Sequence, residues 1–187
     1  HSVEQGLHHS PLTEEKVAYL KEISTLGLNA SELIKISEAS LLQRHQYVQI
    51  FNSEGLTAED NRHYCRVVSN IIAEKNGEQS TGYFAPGALR GWEFGATIDS
   101  KELATLSSAQ ALVKLGAAPC PGGKMPVIIG NGFGGVIFHE ACGHLLETTS
   151  VQKKSSVFWD KMNEQIANTA VNAIDDGTIK NEWGSIN

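Results

Sequence analysis

Residues 130 to 144 read GNGFGGVIFHEACGH, and two sets of side chains in that stretch are able to do chemistry. His139, Glu140 and His144 form the first set. Two neutral imidazoles can supply part of the shell of a divalent cation, and a carboxylate beside them can take a proton from a water that the cation acidifies. Gly130, Gly132 and Gly135 form the second set, because they fit the dinucleotide-binding pattern G-x-G-x-x-G.

The histidine spacing is unusual. In H-E-x-x-H the ligands stand four apart and share one helix face. Here His139 and His144 stand five apart, a rotation of about 140° at 3.6 residues per turn. A regular α-helix would splay the rings, so a shared cation requires a distorted helix. A π-type turn is wound more loosely and returns positions five apart to one face. Gly143 makes such a distortion cheaper. Glu140 and His144 are four apart and are able to face the same way in either geometry. A catalytic site also needs a third protein ligand and an open position, and no obvious third ligand is present. Cys142, inside the same turn, reads as a small packed residue. The competing reading is a helix with one buried and one surface histidine, both structural.

The glycine pattern is weak evidence by itself, because any tight turn into a helix recruits glycine. A dinucleotide site also needs a parallel strand ending in an acidic residue about 20 positions on. That region holds Lys153-Lys154-Ser155-Ser156 instead. A dinucleotide-dependent oxidoreductase is therefore a minor alternative, and the glycines read as a tight turn. Gly132, Gly134 and Gly135 remain candidates for close approach of a substrate backbone.

Elements are needed to position these groups. Thr13 can cap a helix whose apolar stripe is Val17, Leu20 and Ile23, with Gly27 as its end. Leu33–Ser37 and Tyr47–Asn52 read as two strands, and Asn52–Gly55 as a turn into extended chain. Tyr64–Glu74 is a long strand, Asn76-Gly77 a hairpin turn, and Gln79–Phe84 the returning strand. Asp99 with Glu102 forms a capping box, opening a helix that presents Leu103, Leu106, Gln110 and Val113 on one face and stops at Gly116. Met125–Ile129 reads as a short buried strand leading into the glycine turn and the histidine helix. Phe158 to Ala170 reads as helix, Val171–Ile174 as strand, and Asp175-Asp176-Gly177 as a turn. The expected fold is α+β, an antiparallel β meander with packed helices. Its expected divisions are 1–10, disordered or tag-like; 11–124, the α+β part; and 125–187, a strand–helix segment that begins a second domain.

The totals bound the function class. The chain has 187 residues, 41% hydrophobic and 19% charged, with a formal charge of −6. That acidic balance and the lack of a dense Lys/Arg cluster argue against a nucleic-acid surface. No apolar run reaches membrane-spanning length, and no signal peptide opens the chain. Three widely spaced cysteines, Cys65, Cys120 and Cys142, suit a reducing compartment, so a cytoplasmic location is expected. The first residue is His1, and His1, His8 and His9 read either as tag or linker remnants or as native residues, in both cases without a metal role. The chain reads as a piece of a longer polypeptide.

The neighbouring words make one reading more specific. Met125-Pro126-Val127-Ile128-Ile129-Gly130, the glycine turn, and Ile137-Phe138-His139-Glu140-Ala141-Cys142-Gly143-His144 resemble the H-E-x-x-x-H segment of the TldD/PmbA family. Ile174-Asp175-Asp176-Gly177-Thr178 with Trp183-Gly184-Ser185 resembles the family's stretch after the metal helix, and Pro11–Val17 resembles its start. The resemblance spans nearly the whole chain.

That resemblance implies a zinc metallopeptidase cutting short or unfolded peptides, from a family first linked to modulation of DNA gyrase and maturation of a peptide antibiotic. It implies His139 and His144 as zinc ligands, Glu140 as general base, and a PmbA-like partner subunit or a homo-oligomer. The family's third ligand is a cysteine in a C-terminal β domain, and none of the three cysteines here matches it. The expectations are thus an incomplete metal site, no activity from this piece alone, and exposed apolar surface able to drive self-association. Two histidines alone leave iron or another divalent ion open. The alternative within the family is a peptide-binding or regulatory module without turnover.

Overall fold

The structure, a computed structural model, describes residues 13–186. The readings for residues 1–10 and for Pro11-Leu12 lie outside the described residues. The chain forms two compact units: one runs to Pro119 and takes back the residues from Asp176 onward, and the other is Cys120–Asp175.

The first unit is an antiparallel sheet with helices on one face. Its elements are α1 (Thr13–Leu28), β1 (Ile34–Phe51), β2 (Thr57–Lys75), β3 (Glu78–Phe84), β4 (Gly87–Ala88), α2 (Trp92–Gly95) and α3 (Ser100–Leu115). The sheet order is β1-β2-β3, with β4 also paired to β2. The meander and the α+β class expected from the sequence are present.

β2 shows why. Cys65, Val67, Ser69, Ile71 and Ala73 alternate along it and are each fully buried, which is the period-two signature of a strand with one covered face. Ile23 of α1 and Leu103 and Ala104 of α3 pack with Val67, while Ala111 of α3 packs with Ile34, Ile71 and Ala73. A register irregularity between Ile34 and Ile36 keeps Ile34 opposite Ala73 on that covered face. Asn76 and Gly77 both have positive φ, 55° and 84°, as a two-residue hairpin turn requires.

Several local expectations are corrected. β1 is one continuous strand rather than two. Its middle carries Ala39 and Leu41 on the covered face, packed against the core, while Gln43 to Gln46 are exposed polar residues that backbone pairing to β2 holds in register through Phe51–Thr57. α1 continues past Gly27 to Leu28. Gly27 is buried against the sheet, where a Cβ would lie 2.7 Å from Ile71 Cδ1, so its role is close packing and not termination.

The buried face of α3 is Leu103, Ala104, Ser107, Ser108 and Ala111, with Leu106 and Val113 exposed. Small residues prevail there because the helix crosses β3 at Gly82, where a Cβ would overlap the Ser107 carbonyl oxygen and come within 2.8 Å of the Ala111 nitrogen. Asp99 does cap this helix, accepting from the Glu102 amide at 2.7 Å, and Gly116 is its C-cap.

The other face of the ribbon is covered by the residues that return after Asp176. Trp183 meets Tyr64 edge-to-face at 5.2 Å and lies under the Arg66 guanidinium at 4.0 Å. This packing is why the residues from Asp176 onward group with the sheet by contact.

The second unit is mostly irregular. Met125–Ile129 is not a strand: no neighbour among the described residues pairs with it, and Ile128 is 99% exposed. Phe158 to Ala170 forms turns instead of a helix, with Asn163 at φ 65° breaking the path. Val171–Ile174 is extended chain without a strand partner. No helix among the described residues is long and apolar enough to cross a membrane.

Candidate metal centre

Within Cys120–Asp175 the ordered segment runs from the glycine turn. A 3₁₀ turn covers Gly132–Gly134, followed by α4 (Gly135–Phe138), a π-helical turn over His139–Gly143, α5 (His144–Leu146) and α6 (Thr148–Gln152). Gly132 has φ 76°, which a side chain would rarely adopt. Gly134 packs under Ile129, whose Cγ2 would lie 2.6 Å from an added Cβ, while Gly135 faces open space. No strand leads directly into this turn, since residues 125–131 form none. The strand–turn–helix context of a dinucleotide site is therefore missing.

The π turn answers the spacing problem. Its backbone stays in the right-handed region throughout, with Gly143 at φ −55° and ψ −53°. The looser winding brings His139 and His144 together, and their ring centroids are 4.4 Å apart. Ligand-capable atoms of His139, Glu140 and His144 all lie within 4.8 Å of one another, and all three residues are exposed. None of the three cysteines belongs to the group: Cys65 is buried in the sheet unit, Cys120 is exposed, and Cys142 is half-buried.

Cys142 looks instead into a cleft of about 420 Å³. Phe138, Cys142 and Leu146 line one side of it, and Phe158, Ile166 and Val171 are among the residues lining the rest. Residues 138, 142 and 146 are four apart, so the helix turns an apolar stripe to this cleft and its His139–Glu140–His144 stripe to solvent.

The structure adds a residue that the sequence reading missed. Glu147 lies at the break between α5 and α6, at φ −62° and ψ 136°, and its Oε1 is 2.7 Å from His144 Nδ1. Glu140 Oε2 is 3.6 Å from Nε2 of the same ring. The available signal was the i,i+3 spacing of His144 and Glu147 on one helix face.

The donor set fits a divalent cation. The two imidazole nitrogens are donors suited to zinc and to other first-row metals, and the Glu140 carboxylate beside them is able to take a proton.

Comparison with known proteins follows the same line. The family model for the PmbA/TldA metallopeptidase central domain matches residues 8–115, and that for the C-terminal domain of the same family matches residues 122–187. A metalloprotease TldD homolog of Haemophilus influenzae is 36% identical over 182 residues, which is 94% of this chain and 38% of that protein. A metalloprotease of Methanocaldococcus jannaschii is 37% identical over 134 residues, covering 71% of this chain and 29% of the relative. The chain thus spans about two fifths of the length of such relatives, or less.

Two crystal structures share the fold. One is a candidate DNA gyrase modulator from Bacteroides thetaiotaomicron, with TM-score 0.70 and 20% identity over 84% of this chain and 35% of that one. The other is a candidate DNA gyrase modulator from Thermotoga maritima, with TM-score 0.70 and 18% identity over 90% and 38%. The family models meet the chain on both sides of the break near Pro119, and the second of them contains the π turn with its histidines. The chain belongs to the PmbA/TldD metallopeptidase family.

Proposed function

We propose that this chain carries the metal-binding part of a TldD-like zinc peptidase that hydrolyses short or unfolded peptides. The observation that carries the reading is the convergence of His139, Glu140 and His144 at a π turn. A regular helix would have separated these side chains, and the family is one of metallopeptidases. His139 and His144 would hold the ion, and a bound zinc would polarise both the attacking water and the scissile carbonyl.

The chain's own residues do the rest. Glu140, one residue from His139 and one helical turn from His144, accepts the water's proton at a carboxylate oxygen and returns it to the leaving amine. The exposed setting leaves room for a peptide in extended form, with the backbone at Gly132, Gly134 and Gly135 offering close approach. The ligand set is completed by a cysteine outside these residues, as the family resemblance implies, and a PmbA-like partner subunit or a second copy completes the assembly.

The test uses the longest natural polypeptide that contains this chain. Peptide hydrolysis and elemental metal content are measured for the unaltered protein, Glu140→Ala and His144→Ala. Glu140→Ala is expected to abolish cleavage and keep the metal, while His144→Ala loses both. Cleavage that persists in Glu140→Ala sinks the mechanism. Metal and peptide binding without any turnover would make the protein a binding module instead.

A further inference from the structure

We infer that Glu147 is a positioning residue for the candidate metal centre: it fixes the tautomer of His144 so that Nε2 presents its lone pair to a cation. This rests on the metal-site reading above and goes beyond it, because it adds a residue outside the H-E-x-x-x-H stretch.

The geometry assigns the ring proton. A neutral imidazole carries one N–H, and the neighbouring acceptor decides which nitrogen holds it. Glu147 Oε1 stands 2.7 Å from Nδ1, a short hydrogen-bond distance, whereas Glu140 Oε2 stands 3.6 Å from Nε2, too far for one. The proton therefore sits on Nδ1, donated to Glu147. Nε2 is left as the lone-pair nitrogen on the side of the ring where Glu140 lies.

A second observation separates this contact from ordinary helix chemistry. Glu147 occupies the N-cap position of α6, yet its side chain makes no capping hydrogen bond there. Its backbone carbonyl alone begins α6, accepting from the Val151 amide at 3.0 Å. Its extended backbone ends α5 one residue after Leu146. The carboxylate is thus free of any role in starting the helix and is turned back onto the ring. An outer carboxylate of this kind orients an imidazole ligand and makes its other nitrogen a better donor.

The first test needs no metal. The ¹⁵N shifts of the His144 ring, recorded on the metal-free chain above the pH at which the ring is protonated, distinguish the two tautomers. The Nδ1–H form is expected to dominate, and a dominant Nε2–H form overturns the inference without any substitution.

The second test compares Glu147→Ala with Glu147→Gln, whose amide oxygen can still accept from Nδ1. Glu147→Ala is expected to shift the ring toward Nε2–H. It should also weaken Co²⁺ binding by the longest natural polypeptide about tenfold, the lower end of the usual range because the contact is half-exposed. Glu147→Gln is expected to restore the tautomer and most of the affinity. Unchanged tautomer and affinity in Glu147→Ala overturn the proposal. If the unaltered protein has the Nδ1–H tautomer and binds no metal, the peptidase reading fails while the pairing of Glu147 with His144 stands.

Discussion

The imidazoles of His139 and His144, five residues apart in sequence, meet with centroids 4.4 Å apart and planes inclined at 69°. They do so because the intervening backbone is wound as a π turn. If the two rings share one ion, metal retention depends on both. In the longest natural polypeptide, either His139→Ala or His144→Ala is expected to drop metal content from near one per chain to a small fraction, by elemental analysis. Chelation should abolish hydrolysis and zinc should restore it. Full metal retention in both variants would remove these residues from the site.

Gly82 is expected to tolerate no side chain. A Cβ there would overlap the Ser107 carbonyl oxygen of α3, and both partners are backbone that cannot swing aside. Gly82→Ala should lower stability by about 1–3 kcal/mol, the usual cost of overpacking, read as a lower urea midpoint. An unchanged midpoint would mean that α3 moves freely on the sheet.

Trp183 ties the returning residues to the sheet through Tyr64 and Arg66. An edge-to-face ring pair is worth about 0.5–1.5 kcal/mol, and a cation over a ring about 0.5–1 kcal/mol. Trp183→Ala should cost at least about 1 kcal/mol and speed amide exchange in residues 177–186. Trp183→Phe, which keeps an aromatic face, should recover part of the loss. Equal exchange in all three proteins would show that the segment is held by other contacts.

Tyr19 gives a dependence on alkaline pH. Burial, followed by the nearby Asp99 charge, pushes its phenol up to about 12, and the hydroxyl donates to the Ile98 carbonyl at 2.8 Å. The folded chain therefore holds this proton more tightly than the unfolded one. The stabilisation is complete below about pH 10, the ordinary tyrosine value, and is lost as pH rises toward 12. Tyr19→Phe should flatten the fall in thermal midpoint between these limits; an identical fall in both proteins would exclude Tyr19 as its source.

Exposed apolar residues of the second unit give a solution property. Ile128 is 99% exposed, Met162 78% and Ile174 89%. Such side chains favour self-association, so the sedimentation coefficient of the chain should rise with concentration. Ile128→Lys with Ile174→Lys should reduce that rise.

Much of the sheet unit was legible because its signals are local. The β-branched run from Tyr64 to Glu74, the Asn76-Gly77 turn and the Asp99 cap each act over a few residues, and the structure repeats each of them. The union of β1 was not legible, since the exposed polar residues Gln43 to Gln46 carry no apolar periodicity and pairing with β2 makes them strand. The buried face of α3 was misread because apolarity pointed to Leu106 and Val113. Close approach at Gly82 instead selects small residues such as Ser107 and Ala111. Met125–Ile129 looked buried from composition alone, but burial depends on a neighbour, and none among the described residues covers Ile128.

The candidate site divides in the same way. The sequence by itself determined the types of the candidate ligands and the five-residue spacing of His139 and His144, and with that spacing the need for a distorted helix if the two rings are to share an ion. Only the tertiary structure decided that the turn is a π turn and that Glu147 faces His144 Nδ1. Those features depend on which hydrogen bonds the backbone closes and where the helix breaks. Residue spacing constrains such choices without selecting among them.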